Sequence, residues 1–301
     1  RGRCIIPCRL NSRIPIRRIF SAGAIVYYYF IEGNPFKSRL GTNFSVMYTG
    51  TMVIVTVAAI PFMLRKLYQA RAIWTRLLFG FVTLITILAT LMSQSRAALV
   101  GLIAAILLFC LAKKRAIVLA VIAVLMMAAI PGVRERMITE GTKDIRSSIN
   151  RLFLEIVKDY PLTGVGFGIS IYNNPALIDV GQYNQKLAKE HQMKPWWIIN
   201  TPHNAYMDVA VRTGIIGLII FLSIPVIAVF MLWRVWRLSG SEDDRLWAIC
   251  LLASLGSVLA QGLFHDLYYP SWMVFYTLLA MITILWRSAK KDPTPRDTEN
   301  A

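Results

Sequence analysis

The stretch GIIGLIIFLSIPVIAVFMLW, residues 214–233, runs for 20 residues without an Asp, Glu, Lys or Arg. A helix of about 20 residues rises about 30 Å, the thickness of a bilayer's hydrocarbon core, and satisfies its own backbone hydrogen bonds there. Residues 44–64, 77–93, 97–112, 116–130, 246–264 and 271–286 read alike, each free of internal charge, and residues 19–31 form a shorter eighth candidate. A soluble domain rarely repeats such uncharged runs so often. The expectation is an all-α integral membrane protein, a polytopic helical bundle of about eight spans.

Composition agrees. Of 301 residues, 56% are apolar and 16% charged, against about 45–50% and about a quarter in soluble chains. The net charge of +17 would by itself suggest nucleic acid, but cytoplasmic loops of membrane proteins collect Lys and Arg, so no nucleic-acid partner is expected. Four Cys are ordinary usage and exclude a disulfide scaffold.

Short-loop cations set the orientation. Arg17 and Arg18 precede the first span. Arg65, Lys66, Arg71 and Arg76 follow the second, Lys113 to Arg115 the fourth, Arg234, Arg237 and Arg245 the sixth, and Arg287, Lys290 and Lys291 the last. With eight spans all five clusters fall on one side, which places both visible ends in the cytoplasm. The division that follows is a basic N-terminal segment at 1–18, spans within 19–130, a long external loop at 131–204, spans within 205–286 and a tail at 287–301. The first residue is Arg, so the chain reads as a fragment of a longer protein. Cys4 and Cys8 lack two further ligands for a metal.

The external loop has internal order. Across residues 143–160, Ile145, Ile149, Leu152, Phe153, Ile156 and Val157 follow the period of an amphipathic helix, expected to lie against the membrane surface or the bundle, with Arg151 off the stripe. PLTGVGFG at 161–168 stops that helix and turns the chain; its G-x-G-x-G spacing, with no preceding strand, is not a nucleotide loop. Trp196 and Trp197 read as an interfacial anchor.

Two places carry candidate chemistry. In Asn200-Thr201-Pro202-His203-Asn204, Thr201 is a good N-cap and Pro202 suits the first helical position, which puts His203 in the first turn. A helix N-terminus disfavours the imidazolium, so the ring is expected to stay neutral and able to accept a proton. In Ser93-Gln94-Ser95-Arg96, Ser95 can cap the helix beginning at Arg96, so free N–H groups and a guanidinium converge as in a phosphate site. Arg39, Arg151 and Arg212 are further external cations, and Asp266 can orient a His or hold an Arg. Together they fit a reaction on a lipid-linked phosphate or diphosphate.

At these residues the sequence resembles a known family. The S-Q-S-R turn, the block RLFLEIVKDYPLTGVGFG and the run PHNAYMDVAVRTGIIGLIIF look like the core of the O-antigen ligase and polymerase superfamily over roughly residues 39–286, closest to the ligases. The resemblance implies a GT-C-like membrane glycosyltransferase of the bacterial inner membrane with a periplasmic active site. It would move a glycan from undecaprenyl diphosphate to the lipid A-core oligosaccharide in lipopolysaccharide biosynthesis, with no cofactor or metal. By motif, Arg96 and Arg151 match the arginines on the donor diphosphate, with Arg39 beside them, and His203 matches the general base. Asp266 takes the place of a carboxylate between the last two spans, and Arg212 supports. Ala205 departs from the acid that ligases can carry two residues after the histidine.

Alternatives remain open within and outside that class. An O-antigen polymerase or a protein O-oligosaccharyltransferase would use the same donor. A transporter or flippase would place ionisable groups near the bilayer midplane, whereas here they gather at one face of uncharged spans.

Overall fold

The computed structural model of the chain describes residues 49–93, 95–112, 145–167, 171–194, 201–265 and 269–291. Every regular element among them is helical. The α-helices are α1 (Thr49–Gln69), α2 (Ile73–Met92), α3 (Arg96–Ala112), α4 (Ile145–Asp159), α5 (Val180–Lys186), α6 (Ala205–Leu238), α7 (Glu242–Gly262) and α8 (Tyr269–Lys291), with short 3₁₀ turns at Ile171–Asn173 and Lys189–His191. Four stretches among the described residues are long and apolar enough to cross a membrane: Ile73–Met92, Ala205–Leu238, Glu242–Gly262 and Trp272–Ala289. The chain is thus an all-helical membrane protein. The expected spans at 19–31 and 116–130, and with them Arg39, Asp266, Trp196 and Trp197, lie outside the described residues.

The helices run past the uncharged segments that mark them. Arg65 and Lys66 lie inside α1, Arg76 inside α2, and Arg234 and Arg237 inside α6. The backbone ladder continues wherever a long side chain can carry its charge outward, so helix length exceeds apolar length.

The helices fall into two compact units. The first holds α1, α2, α3, the part of α6 from Ala228, most of α7, and α8. Its core joins Val57, Ile60 and Leu64 of α1, Ile87 and Leu91 of α2, Leu99, Leu102 and Ile106 of α3, and Leu246, Ile249 and Ala253 of α7. Several hydroxyls within it find a carbonyl acceptor. In α2, Thr83 donates to the Phe79 carbonyl at 2.6 Å, Thr86 to Val82 at 2.7 Å, Thr90 to Thr86 at 2.8 Å, and Ser93 to Thr90 at 2.6 Å. Ser254 of α7 donates to the Ala58 carbonyl of α1 at 2.7 Å. Arg65, buried near the end of α1, pairs with Asp243 in the first turn of α7 and lies 4.2 Å over the Trp247 ring. Gln69 donates to the same carboxylate oxygen at 2.6 Å.

The second unit holds α4, α5 and the part of α6 up to Ile227. The predicted stripe of α4 is its buried face: Ile149, Leu152, Phe153 and Ile156 are buried and Val157 is partly so. That face packs on Ile171, Tyr172, Ile178, Tyr183, Leu187, Met193 and Val211. Its cover is therefore the loop's own apolar residues together with the start of α6, rather than a membrane surface. Asn184 ties this core shut, its amide donating to the Met193 carbonyl and accepting from the Met193 N–H, both at 2.8 Å.

Candidate functional site

The second unit is organised around a break in α6. Gly214 has φ 65° and ψ −167°, so Ala205–Leu238 is two helical pieces meeting there. A break frees carbonyls that would otherwise accept from the next turn, and buried carbonyls need partners. The glycine turn after α4 supplies them. Val165 N–H donates to the Val211 carbonyl and Gly166 N–H to the Arg212 carbonyl, both at 2.9 Å. In return the Ile215 N–H, stripped of its helical partner, donates to the Pro161 carbonyl at 2.8 Å. Gly164 has φ 66°, and a Cβ there would stand 2.5 Å from backbone atoms of Val211, Arg212 and Thr213. The G-x-G of the turn is thus a backbone clasp on α6.

Just upstream, the start of α6 differs from the expected one. The helix begins at Ala205, and Asn204 is the cap: its side-chain oxygen accepts from Tyr206 N–H at 3.0 Å and Met207 N–H at 3.1 Å. Thr201 does not cap, and Pro202 is not the first helical residue. His203 lies outside the helix, in a bend with φ 51°, a conformation few non-glycine residues adopt. The imidazole therefore stands before the first turn of α6 and not inside it, contrary to the expectation from Thr201-Pro202. His203 is exposed, and its Nδ1 lies 3.3 Å from the Thr201 hydroxyl.

Arg212 is held in a network. Its Nε donates to Asp208 Oδ1 at 2.8 Å, the Tyr172 hydroxyl donates to the same oxygen at 2.6 Å, and the guanidinium lies 5.0 Å over the Tyr172 ring. Asp208 and Tyr172 were not among the predicted site residues. The i, i+4 spacing of Asp208 and Arg212 was visible in the sequence; the arrival of Tyr172 from 36 residues away was not.

A second cluster closes the end of α4. Asp159 accepts from the Tyr183 hydroxyl at 2.7 Å and pairs with Lys186 at 3.0 Å. These two bonds, the Tyr183 one first, hold the Asp159 carboxyl below its ordinary range. Burial chiefly, and then the carboxylate, push the Tyr183 phenol above its own.

The remaining predicted residues stand as follows. Arg151 is exposed on α4, off the apolar stripe. Arg96 is the first residue of α3, half-buried, in the other unit. Ser95 holds the cap position there, its carbonyl accepting from Leu99 N–H at 3.0 Å while its own N–H reaches the Ser93 hydroxyl at 3.3 Å. Among the described residues no group of three His, Cys, Asp or Glu side chains is placed to hold a metal.

What the second unit offers chemically is an exposed imidazole, an exposed Arg151 and a rigidly held Arg212; the first unit separately offers a helix start headed by Arg96. Such groups suit an anionic substrate whose charge grows during reaction. Among curated proteins none matches the chain. The family model described as "O-Antigen ligase" matches residues 79–222. That stretch takes in the Ser93–Arg96 turn, the α4 block with its glycine clasp, and the segment from Pro202 into α6. Over residues 79–222 this membrane protein is therefore similar to the O-antigen ligase family.

Proposed function

We propose that the protein is a glycosyltransferase of lipopolysaccharide biosynthesis that moves O-antigen glycan from undecaprenyl diphosphate to the lipid A-core oligosaccharide at the periplasmic face of the inner membrane. The observation that carries this is the family match, which includes Arg96, Arg151, His203 and Arg212 in one unbroken stretch. The topology that goes with it has about eight spans, a cytoplasmic segment at 1–18, a periplasmic loop at 131–204 and a cytoplasmic tail at 287–301.

In the proposed reaction Arg96 and Arg151, with Arg39, hold the donor diphosphate, and His203 takes the proton from the acceptor hydroxyl as that oxygen attacks the anomeric carbon. The diphosphate leaves with the bonding pair, and its growing charge is neutralised by guanidinium donors. Inversion at the anomeric carbon follows from direct displacement. The reaction needs no metal, and Asp266 and Arg212 act in support.

One observation favours a second reading. Ala205, where ligases can carry an acid, is buried, and a Cβ placed on Gly262 would meet its methyl at 3.5 Å. Because the acid that ligases can carry there is absent, an O-antigen polymerase, taking a second lipid-linked glycan as acceptor, is the alternative. Purified protein given lipid-linked donor with either acceptor decides between them. Transfer to core oligosaccharide supports the ligase and chain extension the polymerase. His203→Ala should lower turnover by about 10²-fold or more with protein yield kept, and no product from either acceptor would overturn both readings.

A further inference from the structure

We propose that the last turns of α6 and α8 form a seat for the headgroup phosphate of an anionic membrane phospholipid. Three arginines lie on these turns: the Arg234 guanidinium lies 5.3 Å from the Trp286 ring and 5.9 Å from that of Phe230, Arg237 lies 5.4 Å over Trp233, and Arg287 follows Trp286 and is exposed. Among the described residues none of the three has an acidic partner, whereas Arg65 pairs with Asp243 and Arg212 with Asp208.

The geometry selects the kind of partner. An aromatic ring takes the flat face of a guanidinium and leaves its in-plane N–H donors pointing outward. That fork fits a phosphate's oxygens, and stacking on a ring fixes it in advance, so little side-chain freedom is lost on binding. Clustered cations that form no ion pair among the described residues call for a counter-ion.

The setting selects its source. α6 and α8 both carry membrane-length apolar stretches, and Trp233 and Trp236 are exposed beside the arginines. Exposed Trp at the end of an apolar helix marks the headgroup level, so the donors stand where lipid phosphates lie. The chain's own Asp292, Asp297 and Glu299 are the competing counter-ions.

The test uses the full chain, purified in detergent, titrated with phosphatidylglycerol, with phosphatidylcholine of the same acyl chains, and with inorganic phosphate, and read by native mass spectrometry. Wild type should hold phosphatidylglycerol in preference to phosphatidylcholine, with no binding of phosphate alone. R234Q/R237Q should weaken phosphatidylglycerol binding by roughly 25-fold, about fivefold for each charge lost near the membrane surface, and leave phosphatidylcholine unchanged. R234K/R237K, which keeps both charges, should fall between. Undiminished binding in either variant overturns the proposal. So does equal binding of inorganic phosphate, or phosphatidylglycerol binding that appears only in D292N/D297N/E299Q, since the tail would then fill the seat.

Discussion

Gly214 and Leu162 meet backbone to backbone: a Cβ on Gly214 would stand 2.2 Å from the carbonyl carbon of Leu162 and 2.6 Å from the Thr163 nitrogen. Two segments 52 positions apart in the sequence thus share a gap that admits only hydrogen. Because φ is 65° and ψ −167° at Gly214, the backbone there is also of a kind nearly confined to glycine.

Gly214→Ala should therefore combine backbone strain with a clash that no rotamer relieves. We expect a loss of at least about 2–3 kcal/mol, seen as a lowered Tm of the purified protein. Gly166 is the control, since its φ of 97° is strained for other residues but nothing lies within 4 Å of an added Cβ. Gly166→Ala should cost about 1 kcal/mol. Equal costs at the two positions would show that the clasp on α6 is not closely packed.

Asp208 carries two bonds on one oxygen, so its loss should exceed the loss of either partner bond. Tyr172→Phe removes one hydrogen bond, about 1 kcal/mol, whereas Asp208→Asn also takes the carboxylate charge away from a half-buried Arg212 and should cost about 2 kcal/mol. A double-mutant cycle should give less than the sum, because both variants break the same bond. Strict additivity of the two would dissolve the network.

The Asp159 cluster gives the loop a pH dependence of known sign. A carboxyl held below its usual range stabilises the fold above its ordinary pKa of 3.8, and that contribution fades as pH falls through and below this value. The Tyr183 phenol is raised above its ordinary 10.0, so its contribution is complete below that pH and fades as pH climbs beyond it. Protection against amide hydrogen exchange across residues 180–187, taken relative to the intrinsic rate at each pH, should therefore fall at both extremes. Asp159→Asn should flatten the acid limb, and Tyr183→Phe should flatten the alkaline one. A wild-type profile indifferent to pH would count against both bonds.

The proposed topology is checked by labelling single cysteines with an impermeant reagent in intact cells. Gln185 is exposed on α5, and unlike Asn184 it contributes no side-chain bond to the core, so Gln185→Cys should label from outside. Ser241→Cys, in the exposed turn between α6 and α7, should label only after permeabilisation. Equal labelling of both would reverse the orientation.

What could be read in advance follows the reach of each signal. The α4 stripe was legible because a 3.6-residue period survives whatever covers it; what covers it was not, since Tyr183 and Met193 lie far along the chain. The cap of α6 was misjudged because Thr201-Pro202 and Asn204 offer two plausible starts, and local propensity does not say which backbone turns positive at His203. Gly214 looked like the first residue of an apolar run because Asp208 and Arg212 interrupt it. Inside the helix those charges cancel each other at i, i+4, so α6 starts nine residues earlier. The family likeness was legible because its motifs are contiguous.

The hydroxyls of α2 bear on how this protein is made. Thr83, Thr86, Thr90 and Ser93 each donate to a carbonyl of their own helix, so the segment carries its polar groups already satisfied before any neighbour arrives. A helix of this kind can leave the insertion machinery for lipid on its own account, sparing the nascent chain the wait for a partner. Ser254 of α7 instead donates to the Ala58 carbonyl, a partner from nearly 200 residues earlier, so α7 is the segment whose biogenesis should depend on α1 already being in the bilayer.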